Sequence, residues 1–217
     1  LPPNVIDTLL GALDADQGST RRDDWVQRAR AIILTALLAG LRLDELVGIN
    51  LGDVRAVGDG AVIHVRGKGN KDRRVPIEAP LIAVLEDYLA SRATRFPHPN
   101  RRSPSPGGGL GSWPTSAPLF VNGRHDTRIT RNTVQYRVLR LFRRAGIDSE
   151  RQRGALVHGL RHTFATDLAN TNVSVYELKN LLGHESIGTS QRYIDGAGQE
   201  TRAAAARNPL YDRLGRG

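Results

Sequence analysis

Two glycine-centred turns, Gly58-Asp59-Gly60 and Gly67-Lys68-Gly69-Asn70, fall within thirteen residues of each other. They separate three short segments: Val54 to Val57, Ala61 to Arg66, and a third that ends at Pro76. β-Branched residues bounded by turn residues read as strands. Connections this short join only antiparallel neighbours, because a parallel pair needs a long crossover. The chain is therefore expected to hold a small antiparallel three-stranded sheet with Lys68 at a hairpin tip.

The remaining apolar residues read as helices. Pro2-Pro3 open a short helix to about Ala15, and Asp16 to Ser19 form a polar turn. Asp23-Asp24 place negative charge at the start of a helix from Trp25 to Ala39, which suits the helix dipole. Ile32, Ile33, Ala36, Leu37 and Leu38 leave that helix almost without a polar side, as a buried core helix would be. Gly40 breaks it, and Arg42 to Val47 restarts a short helix with Arg42 and Glu45 on one face. Ala79 to about Thr94 is amphipathic through Leu81, Val84, Leu85, Tyr88 and Leu89. Residues 97 to 118 are rich in Pro, Gly and Ser and read as a mobile loop. Thr130 caps a helix to Ala145 whose Arg137, Arg140 and Arg144 form a basic face. Another helix runs from about Leu156 to Asn170. Ser174-Val-Tyr-Glu177 is a capping-box pattern opening the next, which Gly183 closes. Ser186 to Tyr193 reads as one more short helix. The expected class is mainly α with one small antiparallel β-sheet (α+β), as a single domain over residues 1–217.

The balance of 31 Lys plus Arg against 22 Asp plus Glu leaves a net charge of +9 over 217 residues. That excess points to a polyanionic partner, of which nucleic acid is the commonest. The chain has no cysteine, which excludes disulfides, thiolate catalysis and Cys-ligated zinc and is compatible with a reducing cytoplasm. The longest apolar run, Ala31 to Ala39, is too short to span a bilayer, so no membrane partner is expected. No secretory signal is recognisable ahead of the first helix. Starting at Leu1 rather than Met, the chain reads as a piece of something longer.

Three histidines, two arginines and a phenol cluster late in the chain, in His158-Gly-Leu-Arg161-His162, Leu181-Leu-Gly183-His184 and Gln191-Arg-Tyr193. Arg42 and Lys68 form a second cationic set upstream. Cutting a phosphodiester without a metal needs neutralised non-bridging oxygens, an in-line nucleophile and a proton for the leaving sugar oxygen. Arg42 and Arg161 fit the first task, because a guanidinium fork holds two phosphate oxygens and keeps its charge. Tyr193 fits the second. Its phenol, with an ordinary pKa near 10, needs a base such as His158. Lys68 fits the third as general acid, with Lys71 as a rival. His184 fits a hydrogen-bond donor to phosphate. Singly, each has an ordinary explanation. Arg42 with Glu45 makes an ion pair, Gly183-His184 a helix cap, and Tyr193 a core tyrosine. Lys71, Arg73, Arg131, Arg137 and Arg140 are candidate DNA contacts that would set salt-dependent affinity more than chemistry.

The ordered set is more specific than its parts. Arg42 in Gly-Leu-Arg-Leu-Asp-Glu-Leu, Lys68 in Gly-Lys-Gly-Asn-Lys-Asp-Arg-Arg-Val-Pro, His158-Gly-Leu-Arg161-His162, Leu-Leu-Gly-His184 and Tyr193 together resemble the catalytic domain of tyrosine recombinases, the phage integrase and Xer type. The likeness spans roughly residues 4 to 200. It implies Arg42 and Arg161 as phosphate clamps, Lys68 as general acid, His158 as base, His184 as second histidine, Tyr193 as nucleophile and Glu45 as support for the first arginine. It implies strand cleavage and rejoining through a 3′-phosphotyrosine, with neither metal nor other cofactor. The implied partners are double-stranded DNA and further copies of the chain, assembled on DNA as a tetrameric synapse; the free fragment is expected to be monomeric. The implied location is the bacterial cytoplasm, at the nucleoid. An N-terminal DNA-clamping domain, usual in the family, is absent from this chain. The tail, residues 197–217, is a candidate for exchange between protomers.

Three other readings compete. His158 and His162, four apart on a helix, have the spacing of a zinc site, but Gly159 stands where a metalloprotease motif has Glu. A DNA-binding module without catalysis is the second. A type IB topoisomerase, which uses the same residue types, is the third.

Overall fold

The computed structural model describes residues 1–16, 25–67, 72–97, 110–147, 155–171, 173–183 and 189–191. Packing divides the chain into two compact units, Leu1–Thr163 and Phe164–Gly217. The boundary falls within a helix.

In the first unit the helices are α1 (Pro3–Asp16), α2 (Val26–Ala39), α3 (Leu43–Gly48), α4 (Ala79–Arg95) and α5 (Arg131–Arg144), with the start of α6 (Ala155–Asn170). Strands β1 (Val54–Val57), β2 (Gly60–Val65) and β3 (Arg73–Ile77) form an antiparallel sheet in that order. The expected meander is therefore present, with boundaries shifted by a residue or so. Register places Val54 opposite Ile63 and Ile63 opposite Val75, one buried row across all three strands. Because strand side chains alternate between faces, Ala61, Ile63 and Val65 turn inward with Val75 and Ile77. Pro76 costs no ladder bond on the far side, since β3 is an edge strand.

Helix α2 lies at the centre of this core. Ala31, Ile32, Ile33, Leu34, Ala36 and Leu37 are all buried, leaving the helix almost no polar side. Burying a Leu- or Ile-sized side chain stabilises by roughly 1.5–3 kcal/mol. Gly40 stops α2 in the left-handed conformation, φ 57°, which a residue without a Cβ adopts at little cost. The Thr130 hydroxyl accepts from the Thr133 N–H at 3.2 Å and caps α5.

Of residues 97–118, expected as a mobile loop, 98–109 lie outside the described residues, and the described stretch after them departs from that expectation. Positions 110–118 pack against the core. Trp113 is buried, and the Arg92 guanidinium lies 4.4 Å above its ring. Gly52 donates to Thr115 O at 2.9 Å and Leu51 to Ala117 O at 2.8 Å. A Cβ at Gly52 would stand 2.6 Å from Thr115 Cβ, so only glycine permits that approach. Composition misled here, because one tryptophan outweighs its Pro and Gly neighbours once it finds a slot.

In the second unit α7 (Val175–Leu182) follows the end of α6, and Leu178 and Leu182 pack on Ala165 and Ala169. The expected capping box is formed: the Ser174 hydroxyl accepts from the Glu177 N–H, and the Glu177 carboxylate accepts from the Ser174 N–H. Gly183 closes α7 at φ 62°. Of the short helix expected over 186–193, residues 189–191 are described and are helical. The polar turn beyond Asp16, Asp23-Asp24, and the tail over 197–217 lie outside the described residues. Among the described residues, no helix is long and apolar enough to cross a membrane.

Trp113→Ala should destabilise the protein by about 3–5 kcal/mol. Gly111→Ala, whose Cβ would meet nothing within 4 Å, should change stability little. Urea midpoints of both variants check this, and an unchanged Trp113→Ala midpoint would return the segment to the loop category.

Candidate active site

The site is built around one carboxylate. Gly40 ends α2 and Arg42 stands at the N-cap of α3, in extended conformation. Glu45, three residues on, reaches back so that Oε2 accepts the Arg42 backbone N–H at 2.7 Å. That is the glutamate half of a capping box. Oε1 of the same carboxylate accepts from Arg42 Nη1 at 2.9 Å. Arg73 on β3 then closes a two-pronged grip, Nη1 to Oε1 at 2.7 Å and Nη2 to Oε2 at 2.8 Å. Arg161, from α6, donates to the carbonyl of Gly40 and lies 3.9 Å from Glu45 Oε2.

Three guanidinium charges against one carboxylate leave the cluster at +2. The Glu45 side chain is 7 % exposed and Arg161's is 6 %, whereas Arg42's is 46 %. Arg42 is thus the most exposed arginine of the three, and Arg73 and Arg161 lie deeper against the carboxylate. Burial alone would raise the Glu45 pKa. The Arg73 hydrogen bonds and charge, with the bonds from Arg42, overcome that and hold the carboxyl down at about 2. Glu45 is therefore ionised throughout the neutral range.

Of the sequence-derived catalytic set, Arg42, Arg161 and the supporting Glu45 are together. His158 is exposed one turn before Arg161 on α6, and His162 is exposed too; residues three apart share a helix face. Lys68, Lys71, His184 and Tyr193 lie outside the described residues. Among the described residues, no group of three His, Asp or Glu side chains could hold a metal ion, so His158 and His162 have no third donor there.

The structure gives the candidate DNA contacts on β3 and α5 different surroundings. Arg73 is 8 % exposed and its fork is held by Glu45. Period two explains why: Arg73 is in phase with the buried Val75 and Ile77, and that phase was the overlooked signal. On α5 the basic residues do not form one outward face. At about 100° per residue, Arg137 and Arg140 stand roughly 120° and 180° around the helix from Arg131. Arg131 pairs with Asp44 at 3.0 Å, beside the Glu45 cluster, and both side chains are exposed. Arg137 and Arg140 are half-buried and instead line a groove with Leu13, Trp25, Ala29 and Ile33 of α1 and α2. Arg137 is near enough to the buried Arg28 to help burial draw that guanidinium down to about 10.

The model described as the phage integrase family matches residues 1–200. Tyrosine recombinase XerC of Methylobacterium nodulans is 35% identical over 198 residues, covering 90% of this chain and 53% of the relative. XerC of Pelobacter propionicus is 33% identical over 187 residues, 83% of this chain and 54% of the relative. A solved structure of XerH site-specific recombinase, bound to palindromic difH substrate in a post-cleavage complex, superposes with a TM-score of 0.71 at 25% identity. It covers 95% of this chain and 52% of that one. The chain spans about half the length of the relatives it matches.

Glu45→Gln should cost on the order of 3 kcal/mol at pH 7. The sign follows from the depressed folded pKa. The stabilisation is complete above the unfolded value of 4.5 and is lost as pH falls through about 2. Denaturation curves of wild type and variant should therefore converge between about pH 5 and pH 2. A gap that stays constant with pH would mean that Glu45 is not held ionised by its arginines.

Proposed function

Because the chain belongs to the phage integrase family, we propose that it is the catalytic domain of a site-specific DNA recombinase that cuts and rejoins strands without a metal. The observation that carries this reading is the cluster of Arg42, Arg73 and Arg161 on Glu45. Its net +2 charge is organised in advance for an anion, with one guanidinium facing solvent. Preorganised donors of this kind stabilise charge as it develops, with no reorganisation during reaction.

The chemistry follows by task. Arg42 and Arg161 neutralise the non-bridging oxygens of one phosphodiester. The Tyr193 phenol attacks phosphorus in line and its proton passes to His158. The Tyr193 Oη–P bond forms as the bond from phosphorus to the 5′-oxygen breaks, and Lys68 protonates that leaving oxygen. His184 donates a hydrogen bond to a phosphate oxygen. The resulting 3′-phosphotyrosine keeps the phosphodiester's bond energy, so a 5′-hydroxyl of another strand can attack phosphorus and release the tyrosine. The roles of Lys68, His184 and Tyr193 rest on their motifs. Double-stranded DNA is the partner, further copies assemble on it as a tetrameric synapse, and the site of action is the bacterial chromosome in the cytoplasm. Arg131, beside the cluster, is the α5 residue retained as a phosphate contact.

Wild type incubated with nicked duplexes randomised around the nick should yield an adduct that survives denaturing detergent. Tyr193→Phe should yield none, and Arg161→Ala should slow adduct formation by about 10²-fold or more. If wild type bound these duplexes without forming an adduct, the cleavage reading would fail and a DNA-binding module would remain. An adduct from Tyr193→Phe would move the nucleophile to another residue.

A further inference from the structure

We infer that Arg73 is a positioning residue for strand cleavage: it fixes the Glu45 carboxylate and, through it, the Arg42 guanidinium that meets the phosphate. The inference rests on the cleavage reading and deepens it, since neither the chemistry of the reaction nor the charge of the chain requires an arginine at position 73.

The argument begins with the torsion of a glutamate. The last torsion of its side chain is soft and broadly two-fold, so a single hydrogen bond leaves the carboxylate plane loose. A guanidinium fork binding both oxygens removes that freedom. Arg73 makes such a fork, at 2.7 and 2.8 Å. Arg42 uses the same two oxygens, its side chain on Oε1 and its backbone N–H on Oε2. The carboxylate is therefore a shared plate: Arg73 fixes it from the buried side and Arg42 leans on it from the exposed side.

The placement of Arg73 supports the same conclusion. Its side chain is 8 % exposed, and its fork is engaged by both oxygens of Glu45. It sits at the start of β3, on the inward face with Val75 and Ile77, so the sheet core sets its direction. Arg42, by contrast, is 46 % exposed. Long exposed side chains lose substantial rotamer freedom when held, so the aim of Arg42 depends on what its inner end grips. Arg73 also joins β3 to α3, whose N-cap is Arg42. A misplacement of about 1 Å in a clamp can cost about 10²-fold in rate.

The test uses Arg73→Met, which keeps length and burial but removes the fork, and Arg73→Lys, which keeps charge without the fork. Near-ultraviolet circular dichroism establishes that each is folded. With duplexes recovered from wild-type adducts, the first-order rate of adduct formation at saturating DNA should fall about 10–100-fold in Arg73→Met. DNA affinity should stay within about threefold, because Arg73 makes no phosphate contact. Arg73→Lys should be intermediate. Arg73→Met combined with Glu45→Gln should be no slower than the slower single variant, since both act through one carboxylate.

A folded Arg73→Met with wild-type rate would overturn the inference, as would losses that multiply in the double variant. A loss confined to affinity would restore Arg73 as a DNA contact. If Arg73→Met does not fold, Arg73→Lys decides alone: a reduced rate at unchanged affinity supports the inference, and a wild-type rate overturns it. Failure of wild type to form any adduct would instead remove the cleavage reading, so the two failures are distinguishable.

Discussion

One buried carboxylate holding three arginines is the constraint on which the rest of the site depends. Bringing guanidinium groups together costs repulsion, and removing any of them from water costs more. Glu45 offsets both costs, and it does so from a position fixed by backbone geometry. Gly40 ends α2, Arg42 opens α3, and the third residue of that helix turns back to cap it. Cluster geometry thus follows from a helix-turn-helix junction of six residues. The outcome is a cation pair that is rigid on its inner side and open on its outer side. A phosphodiester, carrying one negative charge between two oxygens, matches what is left over.

Arginine does two jobs in this chain, and burial tells them apart. Arg28 donates to Val121 O at 2.9 Å and lies over the Trp25 ring. Arg92 pairs with Asp126 and donates to Pro118 O at 2.7 Å. Arg128 holds the carbonyls of Val47 and Ile49. These three pin the segment between positions 118 and 128 to α2, to α4 and to the end of α3. They are scaffolding, and with Arg73 they take part of the chain's +9 away from the solvent-facing surface. Net charge alone therefore overstates the field a ligand would meet. An inward arginine is tolerated because its fork satisfies several carbonyls at once and its stem packs as an apolar chain.

Much of this was legible beforehand because the signals were local. Two glycine turns fixed the sheet, Gly40 and Gly183 fixed helix ends, and Ser174 with Glu177 fixed a start. The ordered motifs point to Arg42, Glu45 and Arg161 as parts of one site. Less legible were features that depend on what lies opposite a residue. Arg73 reads as one more basic residue in a basic turn until its strand phase is matched to Val75. Arg137 and Arg140 read as a helix face until α1 and α2 cover part of it. Trp113 reads as a loop residue until the Arg92 guanidinium is found above its ring.

The division has a physical basis. Turn chemistry, capping and the order of catalytic residue types are properties of neighbours along the chain, and the sequence determined them by itself. Which arginines touch a ligand and which brace the protein is decided by partners 28 to 121 residues away, as Arg73 to Glu45 and Arg161 to Gly40 are. Only tertiary packing sets those distances, because desolvation and ion pairing respond to distance in space and not to separation in sequence.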